Sequence, residues 1–137
     1  MHSDRKFRFE YTGIRVKDME ESIRFYTGVL GMKLVRRGST EETRGEWAQL
    51  KSEGSRHLLE LNWYSPESRF HREYRSGEEL DHLCFSFDFA AGELDNVLKE
   101  FEKIGARIVA GPYKVGEWKI AHVSDPNGIW IELGERS

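Results

Sequence analysis

The sequence predicts an α+β fold in which two tandem βαβββ modules form a cupped mixed sheet. Two repeated patterns predict the duplication. Gly-Glu-Trp at 45–47 returns at 116–118, and Leu-Glu-Leu at 59–61 returns as Ile-Glu-Leu at 131–133. In addition, each copy follows one alternating segment and one segment of helical spacing. Repetition of this kind indicates a duplicated structural unit, and two such units can close a cup that one alone leaves open.

The first module is predicted to span about residues 8–63. It begins with a strand at Phe9–Val16, where apolar and polar residues alternate. A helix follows, because Asp18 and Glu21 have the spacing of a capping box and Gly31 suits the helix end. The apolar stripe of this helix comprises Met19, Ile23, Tyr26 and Leu30. The three remaining strands are predicted at about 33–37, 46–51 and 57–62.

The second module, about residues 80–135, repeats this order. LDHLCFSFD alternates as a strand, and ELDNVLKEFEKIG has helical spacing before Gly105. The predicted apolar stripe comprises Leu94, Leu98, Phe101 and Ile104. Strands are then predicted at about 107–110, 117–123 and 129–133. Residues 64–79 have no clear period and are expected to be a linker, so that residues 1–137 form a single domain.

Composition and charge argue against several classes of partner. The formal net charge is −3, whereas a protein that binds a phosphate backbone needs a basic surface. The basic segment Arg69–Arg75 includes Glu73, which favours a solvated loop. No apolar run approaches the ~20 residues of a membrane span, and the N-terminus has no apolar stretch typical of a signal peptide. The single cysteine, Cys84, suits a reducing compartment, so a cytoplasmic location is expected.

Strand parity predicts which side chains face the cup, because successive side chains of a strand point to opposite faces. Glu60 and Glu132 each lie between two apolar neighbours, and His82 has the opposite parity to its own apolar neighbours. Those neighbours are Leu83, Phe85 and Phe87. In the first strand Tyr11 and Arg15 are expected on the cup side, and by the repeat spacing Tyr11 corresponds to His82.

Two carboxylates and an imidazole that converge on one cavity suit a divalent metal ion. A carboxylate is costly to bury without a cation or strong hydrogen-bond donors. Imidazole and carboxylate together are ligands for many divalent transition metals. The alternatives are that Glu60 and Glu132 are exposed on strand edges and that His82 is only hydrogen-bonded.

Three segments resemble a known family. YTGIRVKDMEESIRFYTGVLGMKLVRR is similar to the opening of glyoxalase I, and ELDHLCFSF and DPNGIWIEL resemble the strands that carry ligands in its second half. The resemblance covers roughly residues 9–134. The chain is therefore identified as a member of the vicinal oxygen chelate superfamily, which includes glyoxalase I, bleomycin-resistance proteins and extradiol dioxygenases.

The resemblance implies a set of metal ligands. The four ligand positions of glyoxalase I are occupied here by Tyr11, Glu60, His82 and Glu132. Tyr11 departs from the family, which has His or Gln at that position. A free tyrosine has a pKa of about 10, so Tyr11 is expected as a weak ligand or a hydrogen-bond donor. One divalent ion per site is implied, and the ligand set suits nickel, zinc, manganese, cobalt or iron.

The resemblance also implies a reaction. A glyoxalase I-like lyase or isomerase moves a proton between adjacent carbons of a thiol hemithioacetal of methylglyoxal, and the metal stabilises the enediolate. Glu132 is expected to be the base, with Glu60 assisting. Arg15, Asn62 and His122 are candidate substrate-binding residues. Arg15 is equally well explained as a surface charge, and His122 somewhat better as a core residue.

The resemblance also allows two alternative functions, and it implies a homodimer. Bleomycin-resistance-like proteins bind small molecules without catalysis but generally lack the ligands retained here. A ring-cleaving dioxygenase needs two histidines and one carboxylate for iron, and the first of these histidines is missing. Short members of the superfamily often exchange modules, so a homodimer is expected in which Tyr11 and Glu60 of one chain meet His82 and Glu132 of the other.

Overall fold

A computed structural model describes residues 8–75, 80–86 and 92–136. The chain divides into two compact units, Met1–Tyr74 and Arg75–Ser137. Two parts of the sequence-based prediction lie outside the described residues: the apolar position Phe87 and linker residues 76–79.

The first unit contains one mixed four-stranded sheet and one helical segment. The strands are β1 (Tyr11–Arg15), β2 (Lys33–Thr40), β3 (Gly45–Lys51) and β4 (Leu58–Tyr64), and the helix α1 (Met19–Arg24) continues as a π-helical turn at Phe25–Val29. The order across the sheet is β1-β4-β3-β2. β1 pairs with β4 in parallel, and the other pairs are antiparallel.

The second unit has the same topology. Its elements are β5 (Leu83–Ser86), α2 (Leu94–Lys103), β6 (Arg107–Val115), β7 (Trp118–Ser124) and β8 (Trp130–Arg136). The sheet order is β5-β8-β7-β6, again with one parallel pair. The predicted α+β fold with two βαβββ modules is therefore confirmed. The single domain and the cup between the modules stay predictions.

The predicted strand faces agree with the observed burial. Leu59 and Leu61 of β4 are buried while Glu60 between them is half-buried, and Ile131, Glu132 and Leu133 of β8 repeat this pattern. The apolar residues form the core of each unit, and burial of each such side chain contributes about 1.5–3 kcal/mol. The glutamates therefore project from the opposite face of each sheet.

Helix α1 follows the predicted start but buries a different stripe. The Asp18 side chain accepts a hydrogen bond from the Glu21 N–H at 2.9 Å, as the capping spacing predicts. Met19, Ser22 and Tyr26 are buried, whereas Leu30 is only half-buried. The π-helical turn changes the angular spacing of side chains, so the regular helical stripe does not continue to Leu30.

Helix α2 corrects one predicted core position and shows a cap that the sequence does not reveal. Ile104 was expected in the apolar stripe but lies at the C-cap and is 59% exposed. At the other end, the buried Glu135 of β8 accepts hydrogen bonds from the backbone N–H groups of Glu93 and Leu94 at 2.6 and 3.2 Å. A carboxylate at a helix N-terminus satisfies unpaired N–H groups and complements the helix dipole.

Replacing Glu135 by alanine is expected to destabilise the protein by about 1–3 kcal/mol, because buried N–H donors lose their acceptor. Glu135→Gln keeps one acceptor oxygen and should cost less. Urea unfolding monitored by circular dichroism measures both. Glu53→Ala, in the exposed turn between β3 and β4, is the control. A Glu135→Ala variant as stable as the control would show that the cap contributes little.

The repeated Gly-Glu-Trp tripeptides are not structural equivalents. Gly45 begins β3 and pairs with Tyr64, whereas Gly116 lies in the turn before β7. The glutamates define the equivalent positions of the two units, since Gln49 is the cross-strand partner of Glu60 and His122 is the cross-strand partner of Glu132. The tripeptide repeat thus indicates the duplication but does not align equivalent residues.

Candidate metal centre

Three side chains with metal-ligating atoms converge in the second unit. His82 immediately precedes β5, His122 lies in β7 and Glu132 lies in β8. His122 and Glu132 are directly opposite each other on neighbouring strands. One ligand atom from each of the three residues lies within 4.8 Å of the others. They are therefore a candidate metal-binding group.

Both imidazoles direct Nε2 at the same carboxylate oxygen. Glu132 Oε1 lies 3.4 Å from His122 Nε2 and 3.6 Å from His82 Nε2. Both distances exceed the usual range of an N–H···O hydrogen bond. The three groups thus surround a common point without hydrogen bonds of ordinary length between them, and this arrangement suits a shared cation. Two imidazoles and one carboxylate fit a divalent transition metal.

The neighbouring Asp81 orients His82. Its Oδ2 lies 2.6 Å from His82 Nδ1. A proton on Nδ1 that is donated to this carboxylate leaves the Nε2 lone pair free for a metal. Such carboxylate–histidine pairs are common behind metal ligands because they hold the tautomer and the ring orientation.

His122 is the most buried member of the group. The residue is 6% exposed, with Trp130 and Tyr113 near its ring at centroid distances of 5.5 and 6.4 Å. Among the described residues, its Nδ1 is a buried atom without a hydrogen-bond partner. An unpaired buried polar group costs about 1–3 kcal/mol, so a purely apolar packing role would be better served by another residue.

Cys84 contacts the other oxygen of Glu132. Its thiol donates a hydrogen bond to Glu132 Oε2 at 3.3 Å, and the two residues are register partners on β5 and β8. Desolvation of the thiol, followed by the hydrogen bond and charge of Glu132, raises the pKa of Cys84 to about 11. The thiol is therefore protonated near neutral pH and acts there as a donor that orients Glu132.

The sequence interpretation gave His122 as a substrate-binding candidate or a core residue, and not as a metal ligand. Its even separation from Glu132 across the β7–β8 turn was the signal that placed both on one face. The structure adds the direct pairing, which makes His122 as close to Glu132 as His82 is.

The remaining predicted site residues lie in the first unit. Tyr11 is 45% exposed at the start of β1, and Glu60 is half-buried in β4. The Asn62 side-chain amide lies 3.5 Å from the Ile14 carbonyl oxygen and 3.4 Å from that of Glu60. That Tyr11 and Glu60 share a site with His82 and Glu132 stays a prediction.

Arg15 lies at a cavity of about 250 Å³ in the first unit. Its guanidinium donates a hydrogen bond to the Phe70 carbonyl at 2.7 Å and lies 5.0 Å from the centroid of the Tyr64 ring. The cavity is also lined by Lys17, Trp63, His71, Arg72 and Glu73. Its arginine and lysine cations outnumber the one carboxylate, and cations with aromatic rings suit an anionic ligand that has an apolar part.

None of the helices in residues 8–75, 80–86 and 92–136 is long and apolar enough to cross a membrane. The one cysteine of the chain, Cys84, has a free thiol.

Comparison with known proteins identifies the family. The model of the glyoxalase/bleomycin resistance protein/dioxygenase superfamily matches residues 8–133. Lactoylglutathione lyase of Pseudomonas aeruginosa is 33% identical, over 96% of this chain and 84% of that protein. Lactoylglutathione lyase of Salmonella typhimurium is 36% identical, over 93% of this chain and 92% of that protein. These matches over nearly the full chain confirm the prediction of a glyoxalase I-like enzyme.

Solved structures agree with this assignment. The trypanothione-dependent glyoxalase I of Leishmania major has a TM-score of 0.74 and 27% identity, over 93% of this chain and 86% of that one. The antibiotic-binding protein TnmS3 of Streptomyces sp. CB03234 has a TM-score of 0.72 at 22% identity, over 99% of this chain and 100% of that one, and supports the fold alone. The chain belongs to the glyoxalase/bleomycin resistance protein/dioxygenase superfamily.

Proposed function

We propose that the protein is a metal-dependent glyoxalase I-like lyase that isomerises the hemithioacetal of methylglyoxal and an anionic thiol. The convergence of His82, His122 and Glu132 is the observation that carries the proposal. The lactoylglutathione lyases of similar sequence support the reaction class.

His82, His122 and Glu132 would hold one divalent ion, of nickel, zinc, manganese, cobalt or iron. When bound, the metal would supply Lewis-acid polarisation of substrate oxygen. Asp81 keeps the His82 lone pair available, and Cys84 occupies the second oxygen of Glu132. His82, His122 and Glu132 thus present three metal-ligating atoms, and hydrogen bonds hold the orientation of His82 and Glu132.

Glu132 acts as the base in this proposal once its carboxylate leaves the ligand set, with Glu60 assisting. The carboxylate takes the proton from the carbon that bears sulfur, the electron pair of that C–H bond forms a carbon–carbon double bond, and the π pair of the neighbouring ketone moves onto the ketone oxygen. The proton then returns to the former ketone carbon, and the hydroxyl proton of the sulfur-bearing carbon passes to the oxygen of the former ketone, so that the product is a thioester with a hydroxyl on the next carbon. No oxidant or reductant is needed, because the reaction is an isomerisation.

Arg15 and Asn62 are proposed to bind the thiol portion of the substrate. The cavity at Arg15, with the cations Lys17 and Arg72, favours a carboxylate-bearing thiol. His122 was expected in this role, but its contact with Glu132 supports a place among the metal ligands instead. A cytoplasmic location is also proposed, on the basis of the sequence.

The proposal is tested with purified protein stripped by a chelator and reloaded with each of the five metals. At least one metal is expected to restore conversion of methylglyoxal–glutathione hemithioacetal to the thioester, while the stripped protein stays inactive. Folded protein that binds none of the metals would favour a small-molecule-binding module. Bound metal without isomerase activity toward glutathione or trypanothione adducts would contradict the proposed substrate class.

A dioxygenase is the second candidate, since two histidines and one carboxylate are the ligand set of many non-haem iron oxygenases. Iron-loaded protein that consumes oxygen with a catechol, and does not isomerise hemithioacetals, would favour this candidate over the lyase.

We further propose a homodimer whose sites take Tyr11 and Glu60 from one chain and His82 and Glu132 from the other. Glu60→Gln and Glu132→Gln subunits, each weakly active alone, are then expected to regain about half of the wild-type activity in purified mixed dimers. One site of such a dimer holds both glutamates and the other holds neither. No recovery in verified mixed dimers would exclude a shared site.

A further inference from the structure

A continuous chain of hydrogen bonds crosses three strands of the first unit and ends on Glu60. Arg36 of β2 donates from both Nε and Nη2 to the side-chain oxygen of Gln49 in β3, at 3.1 and 2.8 Å. The side-chain nitrogen of Gln49 then donates to Glu60 Oε1 at 3.2 Å. Each pair is also a pair of cross-strand register partners. The proposed reaction leaves Arg36 and Gln49 unused.

A β-bulge places Arg36 opposite Gln49. The register between β2 and β3 shifts between Leu34 and Arg36, so that Leu34 pairs with Leu50 and Arg36, rather than Val35, pairs with Gln49. A bulge adds one residue to a strand and re-aims the side chains that follow. Without it, the apolar Val35 would lie opposite Gln49 and the chain of hydrogen bonds would lack its first member.

Arg36 determines which way the Gln49 amide points. A guanidinium has only donors, so the amide oxygen must face Arg36 and the amide NH₂ must face Glu60. The reverse orientation would set NH₂ against a cation and oxygen against a carboxylate. Gln49 is 8% exposed, so water cannot readily replace these partners. The result is a donor fixed on Glu60 Oε1.

The second oxygen of Glu60 stays available. Within residues 8–75, no hydrogen-bond donor contacts Oε2 of Glu60. A Cβ at Gly13 on the neighbouring strand would lie 3.8 Å from this oxygen and 3.1 Å from the Asn62 side-chain nitrogen. The glycine thus leaves space beside Oε2 on the β1 side.

The two modules use the same register position differently. Gln49 stands opposite Glu60 as His122 stands opposite Glu132. The partner of His122 on the outer strand is Ala110, so no arginine takes part there. In the first module this position orients the Glu60 carboxylate. In the second module His82, His122 and Glu132 direct metal-ligating atoms at one point.

We propose that Arg36 is a positioning residue that acts through Gln49 to hold Glu60 with Oε2 free for its assisting role in proton transfer. The inference rests on the proposed function, because the role of Glu60 belongs to it. Arg36→Met removes all the donors, and Arg36→Lys keeps the charge but not the two-donor contact. Arg37→Met is the matched control, since Arg37 is the next residue of β2 and pairs with Glu20 and Glu46 instead.

The first readout is the pair of side-chain amide NMR signals of Gln49 in metal-free protein, which requires no activity. Wild type and Arg37→Met are expected to show two signals with distinctive shifts and slow exchange with water, and Arg36→Met a pair with the shifts and faster exchange of an exposed glutamine. The second readout is kcat of the metal-loaded enzyme. It is expected to fall about 10-fold in Arg36→Met with little change in KM, and Arg36→Lys to recover part of the loss.

The outcomes separate the two proposals. Inactive wild type with any of the five metals would reject the proposed function, and the Gln49 signals alone would then decide whether Arg36 orients the amide. Active wild type in which Arg36→Met leaves kcat at the level of Arg37→Met would overturn the positioning role, even if the Gln49 signals change. Arg36 is exposed, so the folded state of Arg36→Met is expected to survive, and circular dichroism verifies it.

Discussion

Replacing His122 by alanine is expected to lower the affinity for a divalent metal by more than about 100-fold. Loss of a residue that only supports a ligand typically costs 10–100-fold, and in the proposed site His122 supplies a ligand atom itself. Its Nε2 lies 3.4 Å from Glu132 Oε1, closer than the corresponding nitrogen of His82 at 3.6 Å. His82→Ala should therefore have a similar effect, and Asp81→Asn a smaller one of about 10-fold.

Titration calorimetry of metal-stripped protein measures these affinities. His57→Ala is the control, because His57 is exposed and hydrogen-bonds Thr12 in the first unit. His122→Phe keeps an aromatic ring beside Trp130 and removes the nitrogen, so it separates lost ligation from lost packing. If His122→Phe binds metal as tightly as wild type while His82→Ala does not, His122 is no ligand, and the Tyr11, Glu60, His82 and Glu132 set predicted from the resemblance leads.

Glu132→Gln is expected to lower kcat by about 10²–10⁴-fold, because an amide cannot accept the proton that the proposed reaction moves. Glu60→Gln should cost less, in keeping with an assisting role. Steady-state rates are compared at equal metal occupancy, with Glu53→Gln as a control in an exposed turn. An unchanged kcat in metal-loaded Glu132→Gln would assign proton transfer to another group.

The pKa of Cys84 gives a second measure of the Glu132→Gln substitution, and this measurement requires no substrate. The carboxylate of Glu132 contributes to the raised pKa of the thiol, which is about 11 against an ordinary value of 9.0. Glu132→Gln removes the negative charge, so the pKa of Cys84 should fall and its alkylation at pH 8 should become faster. Burial of the thiol is the larger cause and remains, so the pKa is expected to fall only part of the way.

Local signals in the sequence predicted much of this structure. The alternation around Glu60 and Glu132 placed both carboxylates on the face opposite the core, and the spacing of Asp18 and Glu21 identified the start of α1. Both signals act within a few residues, where backbone geometry alone determines which side a side chain faces.

Contacts between strands were harder to predict. The importance of His122 depends on the pairing of β7 with β8, and the place of Arg36 depends on a bulge that no local pattern marks. The two Gly-Glu-Trp tripeptides even lie at non-equivalent positions of their sheets. Register depends on turn geometry as well as on the hydrophobic pattern, so the pattern alone does not determine which residues are paired.

The sequence by itself determined the duplicated βαβββ order, the inward and outward faces of the strands, and the candidate role of His82 and Glu132. Only the tertiary structure decided that His122 joins them, that Glu135 caps a helix 42 residues away, and that Gln49 links Arg36 to Glu60. The physical reason is one of range: a side chain's face follows from its own backbone, whereas its partners follow from which distant backbone is brought beside it.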